Sequence, residues 1–351
     1  MRRFLFAACV ALAAIATAPA LAEPIGTVGV RQFALSVPDR PQPLSVSLWY
    51  PALSDGKTQA IGGSGVFMGI EAVPDAPLSE GSLPLVLIQF GGLRAAPGLG
   101  NWLAADLARN GLAVAMIDPP RLTPDQAATA PLEVGHRPRD LSNSLTAIAA
   151  MPAIAPHLDM RRIGVIGFFL GGTSALQLAG ADIDPDAYAR SCDSDAGNPD
   201  CRWFKHKGVD LHAIDLQSLA ASRRDARFAY AIAVDPELLS SIDSTGKDGT
   251  GAPVDIIRLG SPSDNSARNA PDAVLHGNPA ARRHTISAKS PFSAFPECTA
   301  KGAAILREEE ESEAICSDGD GRPRSEVHND IAGMILRIIA GRQGNGTGID
   351  D

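Results

Sequence analysis

The segment Ile163-Gly-Val-Ile-Gly-Phe-Phe-Leu-Gly-Gly172 has the spacing that presents a nucleophile at an enzyme's surface, without a nucleophile in it. A continuous apolar run, the pattern of a strand buried on both faces, reaches Gly167, and Gly171 follows in a frame G-x-X-x-G. In this nucleophile-elbow frame a strand turns sharply into a helix and the central residue sits on a strained turn. Both glycines are steric requirements, since a side chain at either would collide with the neighbouring helix or strand. The central residue is ordinarily Ser, Cys or Asp. Here it is Phe169, whose ring has no lone pair or ionisable group to offer. The nearest hydroxyls, Thr173 and Ser174, come four and five positions later, within the helix and facing away from the tip of the turn.

Such a turn must be set into a sheet, and the hydrophobic pattern supplies one. Val28 to Val37 and Leu44 to Pro51 read as an opening pair of strands, and Ile61 to Ser82, rich in Gly, Pro and Ser, as a surface loop. Leu83 to Gln89, Ala113 to Asp118 and Arg162 to Phe168 are short, fully apolar runs, separated by helical patterns over Leu99 to Leu112 and Leu141 to Ile154. Buried strands alternating with helices predict an α/β fold with a mostly parallel, doubly wound sheet. Asp182 to Asp225 breaks the rhythm with a polar, cysteine-bearing stretch that reads as a cap-like insertion, with a short helix near Leu211 to Ala220. Strands then resume over Phe228 to Asp235, Val254 to Gly260 and His284 to Ala288, before a helix over Ser325 to Ala340. The domain is thus expected over residues 23–340, with 182–225 inserted and 341–351 as a disordered tail.

The N-terminus carries a basic head, Arg2 and Arg3, an apolar run from Phe4 to Ile15 and a small-x-small site at Ala20-Leu21-Ala22. This is the pattern of a cleavable signal peptide over residues 1–22, which points to a periplasmic or secreted protein. Nothing later has the length of a membrane span. The formal net charge of -9 excludes an electrostatic footprint for nucleic acid. In an exported chain, the two local pairs Cys192 with Cys201 and Cys298 with Cys316 read as disulfides. Their spacing is not that of a zinc site, so no metal is expected.

The chain resembles the dienelactone-hydrolase-like, platelet-activating-factor-acetylhydrolase-like branch of the α/β-hydrolases. The likeness runs from about Leu44 to Ile339 and rests on Leu48-Trp-Tyr-Pro51, Arg137-Pro-Arg-Asp140 opening a helix, the elbow, Cys201-Arg-Trp203 and Ile315-Cys-Ser-Asp318. It implies an ester or lactone hydrolase that needs no cofactor. Carried across by position, the family's serine falls on Phe169 and its acid on Asp264, which matches. The base histidine falls on Pro291, in Ser290-Pro-Phe-Ser-Ala-Phe-Pro-Glu-Cys298, and the oxyanion-loop histidine on Phe90, before Gly91. In serine hydrolases loss of the serine or histidine alone costs roughly 10⁶ in kcat, leaving about 10³–10⁴ over water from the oxyanion donors and binding. Backbone N–H groups near Gly91 and Leu170 remain as such donors.

Phe90, Phe168, Phe169, Phe292 and Phe295 are all expected at the C-terminal edge of the sheet, where α/β proteins bind ligands. Their rings would either fill the former pocket or line an apolar one. The expected function is a non-catalytic pseudo-hydrolase that binds a hydrophobic small molecule or a protein partner; the alternative is an ester or lactone hydrolase with a relocated nucleophile. His284 is expected at the far end of its strand from the elbow. His136, His276 and His328 read as surface or loop histidines.

Overall fold

The computed structural model describes residues 27–52, 56–79, 81–194, 200–243, 251–260, 278–309, 313–318 and 321–344. The expected signal peptide, the matching acid Asp264 and the end of the tail lie outside them. The first pair of strands, β1 (Val28–Leu35) and β2 (Leu44–Pro51), is antiparallel. Strand β3 (Gln59–Ile61) ends where the stretch read as a loop begins, and β4 (Ile70–Pro74) lies within that stretch and extends the sheet beside β1. They were illegible because they are only three and five residues long and the Gly, Pro and Ser residues around them are turn formers.

The buried runs form β5 (Leu83–Gln89), β6 (Ala113–Asp118) and β7 (Leu158–Phe168). They are joined by helices α1 (Asn101–Arg109) and α2 (Glu133–Ala149). Helix α2 starts eight residues before the expected Leu141, so Arg137 to Asp140 lies inside it, with Pro138 in its second turn. Pro138 therefore forgoes one intrahelical N–H bond, and the buried face of Leu141, Leu145 and Ile148 carries the helix through it. After the elbow come α3 (Leu170–Leu178), β8 (Asp182–Ile183), α4 (Pro185–Arg190), α5 (Cys201–His206), β9 (Phe228–Val234) and β10 (Ile242–Asp243). The helix expected near Leu211 is instead two short 3-10 turns, Leu211–Ala213 and Gln217–Ala220. β11 (Val254–Leu259), β12 (Arg282–Ile286), α6 (Gly302–Glu308) and α7 (Arg324–Gly344) complete the described elements. Helix α7 runs four residues past the expected boundary at Ala340.

Among the described residues the main sheet has the order β12-β11-β9-β7-β5-β6-β2-β1-β4-β3, and the six strands from β12 to β6 are parallel. Alternate side chains feed two cores. Leu85 and Leu87 of β5 join α2 and α3 on one face, while Val86 and Ile88 join α1 and α7 on the other. From β5 the chain passes to β6 on one side, and β7 returns on the other. The connections leaving β5 and β7 therefore diverge to opposite faces and open a crevice between the two C-terminal ends. Both expected disulfides, Cys192–Cys201 and Cys298–Cys316, are present.

The crevice depends on close packing behind it. A Cβ on Gly171 would overlap the Gln89 carbonyl oxygen of β5, and one on Gly167 would overlap the Gly171 carbonyl oxygen. Both obstacles are main chain, which cannot rotate aside. Gly171→Ala should therefore cost about 3 kcal/mol or more in urea denaturation; a loss below about 1 kcal/mol would show that α3 can slide off β5.

Candidate functional site

Strand β7 delivers Phe169 to the crevice with φ 58° and ψ -120°. A positive φ is a genuine outlier for a bulky side chain, and such a residue costs about 1–3 kcal/mol. Three main-chain bonds hold it there. The Phe169 N–H donates to the Val234 carbonyl at 3.0 Å, and the Phe169 carbonyl accepts from Thr173 N–H at 3.1 Å and Glu237 N–H at 3.2 Å. Helix start, strand β7 and the loop after β9 thus fix the turn together.

The aromatic residues converge as the sequence suggested. Phe90 stacks on Phe168 with ring centroids 4.6 Å apart and meets Phe169 edge-on at 5.6 Å. Phe295 stands 5.6 Å from Phe90 and 5.7 Å from Phe169, with Phe292 beside it. Phe67, which sequence reasoning missed because it lies in the stretch read as a loop, closes on Phe295 at 6.2 Å. Phe90, Phe168 and Phe169 keep 3%, 0% and 8% of their accessible surface, so these rings pack on one another instead of standing in solvent.

Pro291 opens the 3-10 turn Pro291–Ala294 that brings Phe292 and Phe295 to the cluster. Two groups pin that turn from below. Trp102 Nε1 donates to the Ala294 carbonyl at 2.9 Å, and His328 Nε2 donates to the Phe295 carbonyl at 2.9 Å. The rings of Trp102 and His328 are stacked at 3.7 Å. His328 is therefore a buried brace of the aromatic cluster and not the surface histidine expected. Helical register alone could have shown it, since it lies on the face of α7 that carries Val327, Ile331 and Ile335. His284, at the edge of the sheet, bonds Asp255 at 2.7 Å near the opposite ends of the strands, as expected.

The polar machinery around the turn is committed elsewhere. The Gly91 N–H donates to the Phe168 carbonyl at 3.2 Å. The Gly91 and Gly92 carbonyls accept from Arg137, a buried arginine, at 3.0 and 2.9 Å. Leu170 is the first residue of α3, with its side chain in the core. Thr173 Oγ1 donates to the Glu237 carbonyl and Ser174 Oγ to the Leu170 carbonyl, so both nearby hydroxyls are turned into the fold.

Two carboxyl groups that sequence reasoning did not single out stand next to the elbow. Asp235 follows the last residue of β9, has φ 45°, and is paired with Arg258 Nε at 3.1 Å. Glu237 lies against Gly92, and burial, reinforced by the negative charge of Asp200, pushes its pKa up to about 8. The apolar run of β9 ending in Val234-Asp235-Pro236-Glu237 was the available signal, because ligand sites collect at such strand ends. Among the described residues no His/Cys/Asp/Glu group could hold a metal ion, and no helix is long and apolar enough to cross a membrane.

Sheet order, elbow and crevice together define an α/β-hydrolase fold. The chain is similar to a ferulic acid esterase from Streptomyces cinnamoneus, at 17% identity over 91% of each chain with a TM-score of 0.50. It is also similar to a dienelactone hydrolase from Anabaena variabilis, at 14% identity over 80% of this chain and 95% of that one, with a TM-score of 0.43. No protein-family model matches the chain, and no curated protein matches it in sequence.

Two measurements probe this geometry. Phe169→Ala should cost about 3–5 kcal/mol for the lost ring. Phe169→Gly, which removes the ring but is at ease at positive φ, should cost about 1 kcal/mol less; the reverse order would deny the strain. The second concerns His328, whose pKa burial pushes down to about 4. Below about 6.5 the unfolded chain binds a proton that the folded chain refuses until about 4. Stability should therefore fall with acidification through that window, by up to about 3 kcal/mol. His328→Phe should abolish that component in denaturation curves at pH 7 and 4.5, and an unchanged acid response would refute it.

Proposed function

We propose that this protein is an exported pseudo-hydrolase, a non-catalytic α/β-hydrolase-fold protein that binds a hydrophobic ligand or a protein partner through its aromatic crevice. The observation that carries this reading is Phe169, a phenylalanine held in the strained elbow conformation with its ring packed against Phe90 and Phe295. Attack on an ester needs a nucleophile at that tip and a base within hydrogen-bond reach of it. Phe169 supplies neither lone pair nor proton, and Pro291 cannot act as a base. Asp235, the carboxylate found at the neighbouring strand end, is paired with an arginine where a triad acid would orient an imidazole.

The inward hydrogen bonds of Thr173 and Ser174 speak against a nucleophile relocated to either. Export is favoured by the basic, apolar and small-residue order of residues 1–22 and by two disulfides in the domain. Binding is favoured by where the rings collect. A switch-point crevice is the usual ligand position of an open α/β sheet, and the half-buried Phe67, Phe292 and Phe295 give the otherwise buried ring cluster an apolar outer face there.

A fluorophosphonate probe and a panel of short-chain aryl esters test the reading. The expected result is no labelling and no turnover above the rate in buffer. Labelling of the wild-type protein that disappears on changing one Ser or Thr would replace the proposal with a relocated nucleophile.

A further inference from the structure

The flank of the crevice opposite the aromatic rings is ionic, and one of its members is an arginine seated like a ligand. Arg94 belongs to the loop that follows Gly91 and Gly92, and its side chain is 46% exposed. Its guanidinium carbon stands 5.7 Å over the Trp203 ring, and its Nε lies 3.6 Å from Asp200 Oδ1. Asp200 and Trp203 both come from the cysteine-bearing insertion, where Asp200 directly precedes the Cys201 half of a disulfide. Glu237 completes the group from the loop after β9. Its carboxyl lies against Gly92, two residues from Arg94, and has no hydrogen-bond partner among the described residues.

An aromatic face with two carboxyl groups is the chemistry that recognises an organic cation, which gains ring attraction and charge-assisted hydrogen bonds together. The seat that Arg94 occupies is loosely made. The ion pair is long and about half of the Arg94 side chain is in water, although its partner Asp200 is buried. Arg137 stands behind the carboxyls but is spent on the Gly91 and Gly92 carbonyls, so it does not fill the seat. We propose that Arg94, Trp203, Asp200 and Glu237 form a recognition site for a guanidinium or primary ammonium group, in which Arg94 is an internal competitor that an incoming cation displaces. The main chain of Glu237 adjoins the elbow, but none of the four side chains belongs to the phenylalanine cluster, so the site does not depend on what the rings bind.

Proton linkage follows from the groups that face Glu237. Burial and the charge of Asp200 raise its pKa to about 8, Asp235 adds to this, and Arg137 and Arg94 oppose it. An added cation favours the ionised carboxyl, so binding should release a proton and tighten as pH rises from 6 to 9.

Isothermal titration of the whole protein with n-propylguanidine provides the test, with n-butylurea as an uncharged control of similar shape. Arg94→Ala should bind propylguanidine at least tenfold more tightly than wild type, more tightly at pH 9 than at pH 6, and should ignore butylurea. Adding Glu237→Gln or Trp203→Ala to Arg94→Ala should lose that gain, and Arg94→Gln should reproduce it in case the alanine variant folds poorly. An Ala-Ala-Arg-Ala-Ala peptide separates the sources of such a cation. Tighter binding of the peptide would assign the site to an arginine side chain of a protein, and tighter binding of propylguanidine to a small amine or guanidine. Equal binding of propylguanidine and butylurea, or no gain in either Arg94 variant, would overturn the proposal.

Discussion

The contact between Gly171 of α3 and the Gln89 carbonyl of β5 sets the geometry on which the rest of the molecule turns. It leaves no room for a side chain, so β7 has to reverse into α3 within one residue, and that residue is forced to positive φ. Gly167 meets the same limit against the Gly171 carbonyl. Two main-chain hydrogen bonds then tie the turn to β9 and its following loop, and a third ties it to the first turn of α3. Strain at one residue survives only where the surroundings over-determine it, and here they do. Because the determinants are glycines and backbone, the turn is indifferent to the chemistry of residue 169.

That indifference explains how a phenylalanine can occupy the tip while the fold is kept. Its ring needs apolar company, and Phe90, at the end of the adjacent strand β5, provides an edge-on partner at 5.6 Å. Aromatic pairs in this arrangement gain about 0.5–1.5 kcal/mol beyond area burial, comparable with the strain at the turn. Phe295 touches both rings, and its carbonyl is held by His328. The replacements at 90 and 169 are thus one packing solution spread over two strand ends, and neither ring would be as well buried alone.

Much of this was legible in the sequence and some was not, for separable reasons. The buried strands β5, β6 and β7, the elbow and the convergence of five phenylalanines follow from periodicity and from the rule that strand ends face the ligand crevice. Two short-range disulfides follow from cysteine spacing in a chain read as exported. Strands β3 and β4 were hidden because they are short, lie among turn-forming residues, and reach the sheet only through the non-local pairing of β4 with β1. The first turns of α2 were hidden because Pro138 reads as a break, although the buried face of the helix carries it through the lost bond. The roles of Asp235, Glu237 and His328 rest on neighbours distant in sequence, Arg258, Gly92 and Trp102, which no local pattern announces.

The carboxyl groups around the elbow show what such a site does with acids when no imidazolium is present to answer them. A buried carboxylate must be paired or neutralised, because its desolvation is too costly to leave unmet. Asp235 is answered by Arg258, and Asp200 has Arg94 beside it. Glu237, with Arg137 already engaged by the Gly91 and Gly92 carbonyls, is answered by a proton, which is why its pKa stands near 8. Of the three solutions, the buried Arg258 pair is fixed, while the proton on Glu237 and the half-exposed Arg94 beside Asp200 are the ones another cation can replace. The charge balance of the crevice is therefore adjustable where the elbow, the loop after β5 and the insertion meet.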